Sequence, residues 1–392
     1  MSRAALCLGL LCGLAAGGSP SRRPVADFDI DLDKAPHQRY VKVIAHFKEP
    51  IKHFVEKFFT GVEGAAVKAV TWGLAEQRGE EQDPELAGEI EGIARLTGVP
   101  KYGIQALQML YELNTLMVPI KNITIPWKGP GCAGVVALNK KDGMVYHGRN
   151  QDFSPAPLLQ NLVYTGIFKK GGKEIFRGQM LAGFALPLTA MRKGPNGYTY
   201  EGNTRYPDKI GDDSEMLRNL LHERRPLNAW SIRKAMEANK DYEGFVEALS
   251  TVKYVAPQYN VIGGVKKGII LARRPDGVAY QLVLGKSNPE CRDDYIIVTN
   301  FDYWAHDIRE WFDYTSMKGI GHPRRIPAQK LLNSSDAITP EVLFSVIDDD
   351  EVRATDTIYQ ALMSVEADMW NVSLPMCKEC GGEEAEGRTL VV

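Results

Sequence analysis

The stretch from Gly129 to Phe153 reads GPGCAGVVALNKKDGMVYHGRNQDF. Two apolar runs flank an Asp-Gly pair, and this pattern predicts a β-hairpin. Because residues equidistant from a hairpin turn face each other, Cys132 is expected opposite residues 150–153. A thiol, the guanidinium of Arg149 and the carboxylate of Asp152 therefore meet at one end of one hairpin.

The residues at this hairpin end are candidates for nucleophilic chemistry. A catalytic cysteine needs a base and a group that stabilises its thiolate. His147 shares a strand face with Arg149 and is one candidate base. A second candidate base is the α-amino group that cleavage of the Gly131–Cys132 bond would expose on Cys132. Its pKa would be about 7.7–8.0, close enough to neutrality for it to accept the thiol proton. The hairpin alone is also compatible with a purely structural role, in which Cys132 is a buried cysteine and Arg149 and Asp152 form a salt bridge.

The composition is that of an ordinary globular protein. The chain has 392 residues, 44% of them hydrophobic, and a formal net charge of −2 with acidic and basic residues interspersed. This length fits one large domain or two small ones. The balanced charge predicts no nucleic-acid partner.

The N-terminus has the pattern of a secretory signal. Arg3 precedes an apolar run over residues 4–16, and small residues follow over 15–19. We expect a signal peptide over residues 1–18, because the run is too short to span a bilayer. The expected location is the lysosome or the secreted fraction. Glycosylation sequons are present at Asn122, Asn333 and Asn371.

Cysteine usage agrees with an oxidising compartment. Cys377 and Cys380 form a C-x-x-C pair that lacks a second pair or a histidine segment to complete a zinc site. We therefore expect a small disulfide loop between them and no metal.

Hydrophobic periodicity divides the chain into helical and extended blocks. Four helical segments are predicted between residues 40 and 114, and extended segments follow the hairpin as far as residue 200. A helical block over 214–251 precedes further strands over 258–299, and a final buried strand is predicted over 357–365. This order favours an α+β fold with two layers of sheet flanked by helices.

Several motifs together carry a family resemblance. Cys132 followed by YHGRNQDF at 146–153 resembles the acid ceramidase / N-acylethanolamine acid amidase family of N-terminal-nucleophile hydrolases, which are distantly similar to bile-salt hydrolases and penicillin V acylases. FDIDLDKAPHQRY at 28–40, TNFDYW at 299–304 and PRRIPA at 323–328 extend the resemblance, which spans roughly residues 26–366.

The resemblance implies a four-layer αββα sandwich and a processed chain. Autoproteolysis between Gly131 and Cys132 would give a helical α chain of residues 19–131 and a catalytic β chain of residues 132–392, which stay associated as a heterodimer. By the same resemblance Cys132 is the nucleophile and, through its amine, the general base. The remaining site residues implied are Arg149 and Asp152, which order the amine and the substrate carbonyl, Asn300, which stabilises the oxyanion, and Arg324 in the pocket. No cofactor is implied.

The chain departs from the family pattern at three places. Thr204 stands where the family has a pocket glutamate before an arginine, although Glu201 is close by in the sequence. Ala133 follows the nucleophile in place of threonine. Residues 115–131 form a longer insert, which carries the Asn122 sequon.

The activity implied is hydrolysis of fatty acyl amides, with an acylethanolamine as the leading substrate. The main alternative is ceramide hydrolysis, because the C-terminal C-x-x-C pair resembles the ceramidase branch. Against it, residues 19–131 contain no cysteine, whereas that branch links its two chains through one. A penicillin- or bile-salt-type amidase and a non-catalytic lipid-binding homologue are further alternatives. The partners expected are the lipid substrate and the surface of a membrane or micelle.

Overall fold

The computed structural model describes residues 25–59, 61–113, 115, 131–208, 213–313, 318 and 321–375. The predicted signal peptide, the Asn122 sequon and the predicted Cys377–Cys380 disulfide lie outside these residues.

The strands are numbered here in chain order. They are β1 (Asp27–Asp31), β2 (Ala133–Leu138), β3 (Val145–Asp152), β4 (Val163–Lys170), β5 (Lys173–Leu181), β6 (Thr189–Arg192), β7 (Tyr198–Thr204), β8 (Gln258–Gly264), β9 (Lys267–Arg274), β10 (Gly277–Val283), β11 (Tyr295–Val298), β12 (Thr357–Ser364) and β13 (Met369–Ser373).

The helices are numbered in the same way. They are α1 (Val41–Phe58), α2 (Gly61–Arg78), α3 (Pro84–Thr97), α4 (Lys101–Gln108), α5 (Leu110–Leu113), α6 (Ala156–Leu159), α7 (Asp213–Leu221), α8 (Asn228–Ala238), α9 (Tyr242–Thr251), α10 (Arg325–Ser334) and α11 (Pro340–Asp348). In the described part of the chain, none of these helices combines the length and the apolar character that crossing a membrane requires.

The strands form two sheets. The eight-stranded sheet has the order β1-β4-β5-β6-β7-β8-β9-β10, and the five-stranded sheet has the order β11-β2-β3-β12-β13. Strand β1 runs parallel to β4, and the other neighbours are antiparallel. The predicted hairpin is confirmed, since β2 pairs with β3 from Ala133 opposite Asn150 to Leu138 opposite Val145.

Alternation along β2 shows how the layers pack. Val136 faces the eight-stranded sheet and belongs to an apolar cluster with Val261 and Ile270. Its neighbours Val135 and Ala137 face the other way, because successive strand residues point to opposite faces. They join a second cluster with residues of α10 and α11. A third and larger cluster joins the outer face of the eight-stranded sheet to α1, α3, α4, α8 and α9. These three interfaces make a four-layer αββα sandwich and confirm the predicted α+β fold.

The N-terminal part is built into this sandwich. Strand β1 completes one edge of the eight-stranded sheet by pairing with β4. On α3, the buried carboxylate of Glu89 accepts from Arg233 of α8 at 2.5 and 2.7 Å and from Arg39 at 2.8 Å. Residues on both sides of Cys132 therefore share a core and an ion-pair network.

Helix α3 begins and ends with recognisable signals. The Asp83 side chain caps its first turn by accepting from the backbone N–H groups of Glu85 and Leu86, and Gly98 ends it at a φ of 79°. Gly92 leaves the packed face of this helix without a side chain at the point where an added Cβ would lie 2.4 Å from the His37 carbonyl oxygen. The helix can therefore lie directly on the backbone of the 36–38 turn.

We predict that Gly92→Ala lowers the free energy of unfolding by about 1–3 kcal/mol, because the obstructing atoms belong to backbone that cannot rotate away. The measurement is urea denaturation of the uncleaved chain. Gly73→Ala on α2 is the matched control, since no atom lies within 4 Å of its added Cβ, and it should stabilise by about 0.5–1 kcal/mol. Equal effects of the two substitutions would contradict the proposed close contact.

Candidate active site

The thiol of Cys132 lies beside two side chains of the facing strand. Its Sγ atom is 3.9 Å from Nη2 of Arg149 and 3.7 Å from Nε2 of Gln151. All three side chains are buried. The hairpin register accounts for this cluster, because Ala133 pairs with Asn150 and Cys132 is therefore level with Gln151. Arg149 and Gln151 are two residues apart, so they share a strand face.

Arg149 is anchored to the eight-stranded sheet. Its Nη1 donates to the Leu188 carbonyl at 2.6 Å, and its Nη2 donates to the Gly202 carbonyl at 3.0 Å and to the side-chain oxygen of Gln151. A guanidinium stays protonated in proteins. The structure thus holds a fixed positive charge next to the Cys132 sulfur.

The carboxylate of Asp152 is linked to Cys132 through a second arginine, whereas the backbone N–H of Asp152 donates directly to the thiol. Its carboxylate accepts from Nη1 of Arg324 at 3.0 Å and from the Thr357 hydroxyl at 2.6 Å. Nη2 of Arg324 reaches the Cys132 carbonyl oxygen at 3.4 Å, and Nε donates to Asp313 at 3.0 Å. Arg324 is fully buried, and its N–H groups donate hydrogen bonds to these groups and to Asn300.

The side-chain amide of Asn300 is held at both ends. Its oxygen accepts from Nη2 of Arg324 at 3.1 Å, and its nitrogen donates to the Thr204 carbonyl at 2.9 Å. The second N–H of a planar amide then has a fixed direction. A donor fixed in this way suits the stabilisation of a developing oxyanion.

Burial has the largest effect on the pKa values of the Cys132 thiol and the Asp152 carboxyl. Burial raises the pKa of the Cys132 thiol to about 12, although Arg149 acts to lower it. Burial also raises the pKa of the Asp152 carboxyl to about 7, against the opposing effect of Arg324. In the uncleaved chain the thiol is therefore neutral at physiological pH, and its attack requires a base.

His147 does not contact the thiol. Its Nε2 lies 3.0 Å from Oε2 of Glu201, and its Nδ1 lies 2.9 Å from the Thr199 hydroxyl. Both ring nitrogens are therefore engaged between the two sheets. The acidic residue noted near Thr204 is this same Glu201, whose carboxylate is fully buried and whose Oε1 has no partner among the described residues.

An apolar pocket opens next to the nucleophile. Its cavity volume is about 30 Å³ in this structure. The lining residues are Leu107, Gln108, Tyr111, Gln151, Phe153, Gln179, Leu181, Phe184, Leu186, Leu188, Ala229 and Tyr359. Gln151 both lines this pocket and contacts the Cys132 sulfur, so one side chain separates the thiol from the pocket.

The remaining predicted positions lie away from this cluster. Gly131 directly precedes the nucleophile and is buried. The sequon residues Asn333 and Asn371 are exposed, as a glycosylation site requires, and their modification stays a prediction. Among the residues that the structure describes, no group of three or more His, Cys, Asp or Glu side chains is arranged to hold a metal ion.

Several side chains that surround the predicted residues were not predicted from the sequence motifs. Gln151 was detectable from the hairpin, because it alternates with Arg149 and falls level with Cys132. Asp313 had no local signal, since its role depends on where Arg324 and Asp152 meet in three dimensions.

Comparisons with known proteins find a family model and several relatives that are similar in sequence to this chain. Residues 23–77 match a family model described as the beta subunit of N-acylethanolamine-hydrolyzing acid amidase. The chain is 28% identical to a Caenorhabditis elegans N-acylethanolamine-hydrolyzing acid amidase over 358 residues, which cover 88% of this chain and 90% of that protein. It is 24% identical to a Rattus norvegicus acid ceramidase over 389 residues, which cover 92% of this chain and 89% of that protein.

A solved structure is also similar. It is described as a Caenorhabditis elegans N-acylethanolamine-hydrolyzing acid amidase ortholog. It matches with a TM-score of 0.48 and 27% identity, over 59% of this chain and 92% of that chain.

We predict that Arg324→Lys destabilises the uncleaved chain by about 3–5 kcal/mol. The reason is that one ammonium group cannot donate to Asp152, Asp313 and Asn300 at once, as the planar guanidinium does. The free energy of unfolding measured with urea checks this. Arg353→Lys is the control, since Arg353 pairs with the partly exposed Asp348 and Asp350, and it should cost less than about 1 kcal/mol. A loss for Arg324→Lys no larger than the loss for Arg353→Lys would show that the buried fork is not needed.

A second prediction concerns the pH dependence of stability. The folded-state pKa of Asp152 is about 7, and its unfolded value is about 3.9. The folded chain therefore binds this proton more tightly, so the stabilisation from the protonated carboxyl grows as the pH falls through 7. We expect the melting-temperature advantage of Cys132→Ala over Cys132→Ala/Asp152→Asn to be larger at pH 5 than at pH 8. An advantage independent of pH would refute the raised pKa.

Proposed function

Because the chain belongs to the acid ceramidase / N-acylethanolamine acid amidase family, we propose that it is an enzyme that hydrolyses fatty acyl amides to a free fatty acid and an amine. An N-acylethanolamine is the proposed substrate. The observation that carries the proposal is the position of the Cys132 thiol, which has a fixed guanidinium beside it and lies one side chain, Gln151, away from an apolar pocket. The pocket provides the low-dielectric surface that an acyl chain needs, and the thiol provides the nucleophile.

Activation is proposed to begin with cleavage before Cys132. The thiol attacks the carbonyl carbon of Gly131, the Gly131–Cys132 C–N bond breaks, and the proton given up by the thiol passes to the departing nitrogen, which becomes an α-amino group. Water then hydrolyses the resulting thioester. The new amine has a pKa of about 7.7–8.0 and lies next to its own sulfur. It replaces the base that a thiol with a pKa of about 12 lacks in the uncleaved chain.

Substrate hydrolysis uses the same groups. The α-amine accepts the thiol proton as the sulfur attacks the acyl carbonyl carbon, and Arg149 favours the thiolate electrostatically. The remaining N–H of Asn300 donates to the oxyanion, while Arg324 holds the amide oxygen in place. The substrate C–N bond breaks as the ammonium returns its proton to the departing amine. A water molecule deprotonated by the α-amine releases the fatty acid from the thioester.

The two predicted chains are proposed to act as one unit after cleavage. Leu107, Gln108 and Tyr111 belong to the predicted α chain, yet they line the pocket together with residues of the predicted β chain. The pairing of β1 with β4 and the Glu89–Arg233 ion pair hold the two parts together without a covalent link. Neither part alone would form the acyl site.

The proposed setting is the lumen of the lysosome or the secreted fraction. The signal pattern at residues 1–18 and the exposed sequon residues Asn333 and Asn371 support it. Peripheral contact with a membrane or micelle is part of the proposal, because long-chain acyl amides have low solubility in water.

Ceramide is the second candidate substrate. Acid ceramidases cover as much of the chain as the acylethanolamine amidases do, at slightly lower identity. The two candidates share the acyl half and differ in the amine. A comparison of substrates with one acyl chain and either ethanolamine or sphingosine as the amine therefore separates them.

We predict that the purified chain splits into two at acid pH and that the second product begins at Cys132. Intact-mass analysis before and after acid incubation, followed by release of fatty acid from an acylethanolamine, checks both steps. Cys132→Ala should stay whole and inactive, because it lacks the nucleophile. Cys291→Ala is the matched control, since its thiol lies near Tyr303, outside the site, and should still be cleaved.

A chain that stays whole and releases no fatty acid from either substrate would overturn the amidase proposal. The non-catalytic lipid-binding alternative would then be favoured, with binding that survives Cys132→Ala.

A further inference from the structure

Gln151 occupies the junction between the nucleophile and the acyl pocket. Its Nε2 lies 3.7 Å from the Cys132 sulfur, and its side chain is part of the pocket lining. An acyl group attached to that sulfur must pass this amide before it enters the apolar part of the pocket. The first carbons after the carbonyl carbon therefore lie beside the amide of Gln151.

Two other polar side chains of the pocket, Gln108 and Gln179, are engaged by strong partners. Nε2 of Gln108 donates to the Ile104 and Gly183 carbonyls at 3.0 and 2.9 Å, and its oxygen accepts from the Ala185 N–H. Gln179 donates to the Tyr164 carbonyl at 2.9 Å. These amides are committed to protein groups and hold the pocket wall in place.

The side-chain amide of Gln151 has weaker partners at its nitrogen than at its oxygen. Its oxygen accepts from Arg149, which fixes the orientation of the amide and points Nε2 toward the thiol. Among the described residues, the acceptors of Nε2 are a weak sulfur acceptor and the Asp152 carbonyl, which lies at 3.4 Å, beyond the usual range for an N–H···O bond. This buried donor has capacity for a better acceptor at the start of the acyl chain.

We propose that Gln151 is a specificity-determining residue that donates a hydrogen bond to a hydroxyl group on carbon 2 of the acyl chain, so that 2-hydroxyacyl amides are preferred over unsubstituted acyl amides. A methylene at this point leaves the donor facing a poor acceptor. A hydroxyl oxygen there accepts a hydrogen bond from Nε2 of Gln151. This favours binding, because a buried donor without a good acceptor costs free energy. Because the amide lies on one side of the acyl chain, one enantiomer of the 2-hydroxyacyl group reaches it and the other does not.

The inference rests on the proposed amidase function, and its test separates the two. The experiment measures kcat/KM of the processed enzyme for acylethanolamines with the same chain length, either unsubstituted or carrying an (R)- or (S)-2-hydroxyl. We expect the wild-type enzyme to prefer one hydroxylated enantiomer over the unsubstituted substrate by about five- to tenfold. In Gln151→Leu this preference and the discrimination between enantiomers should both disappear.

Two control variants assign the effect. Gln179→Leu removes a pocket amide that is already satisfied, and the preference should survive it. The Tyr111 hydroxyl also lies near the thiol, since burial and the neighbouring Cys132 raise its pKa. Tyr111→Phe should likewise leave the enantiomer ratio in place. A ratio lost in Tyr111→Phe but kept in Gln151→Leu would transfer the role to the tyrosine and overturn the proposal.

The remaining outcomes are decisive without the variants. An active wild-type enzyme with no preference for either 2-hydroxyacyl substrate would overturn the inference, even if Gln151→Leu failed to fold, and would leave the amidase function intact. A protein that hydrolyses none of the acyl amides would overturn the proposed function itself. General damage to the site cannot imitate the expected result, because it lowers the rates for all three substrates and cancels in their ratios.

Discussion

The guanidinium of Arg324 is the interaction on which the arrangement around Cys132 depends. It lies at the start of α10 and binds Asp152 of β3, Asp313, the side-chain oxygen of Asn300 beyond β11 and the Cys132 carbonyl. A buried cation is tolerated only when its partners neutralise it and satisfy its donors. The same contacts that make the burial of Arg324 acceptable also set the position of the nucleophile relative to the oxyanion donor.

The two sheets contribute different parts of the chemistry. The five-stranded sheet carries Cys132, Arg149 and Gln151 on one hairpin, where strand pairing sets their spacing. The eight-stranded sheet supplies the backbone carbonyls of Gly202 and, at its edge, Leu188, which receive Arg149. The apolar pocket lies where this sheet meets the N-terminal helices. The face-to-face packing of the sheets thus joins the nucleophile to the pocket.

Burial keeps the Cys132 thiol protonated before processing. The thiol has Arg149 as its cationic neighbour, yet desolvation outweighs this attraction and leaves its pKa at about 12. His147, the histidine on the hairpin, is engaged by Glu201 and Thr199. A newly exposed α-amine resolves this in the proposed mechanism, because it brings a base to the sulfur without any change in the surrounding side chains.

Local sequence signals were sufficient to predict the hairpin, its register and the α+β class, because alternation and turn residues act locally along the chain. The same register predicted that Cys132 and Arg149 would meet, and motif resemblance added Asn300 and Arg324 as candidates. Three contacts depend on how the chain folds as a whole: the Asp152 carboxylate binds Arg324, Asp313 shares this cation, and His147 pairs with Glu201. These contacts join residues far apart in the chain, and no local pattern encodes them. The position of Gln151 at the pocket mouth belongs to both levels: its strand face follows from the register, whereas the pocket exists only once the helices of residues 41–113 pack on the eight-stranded sheet.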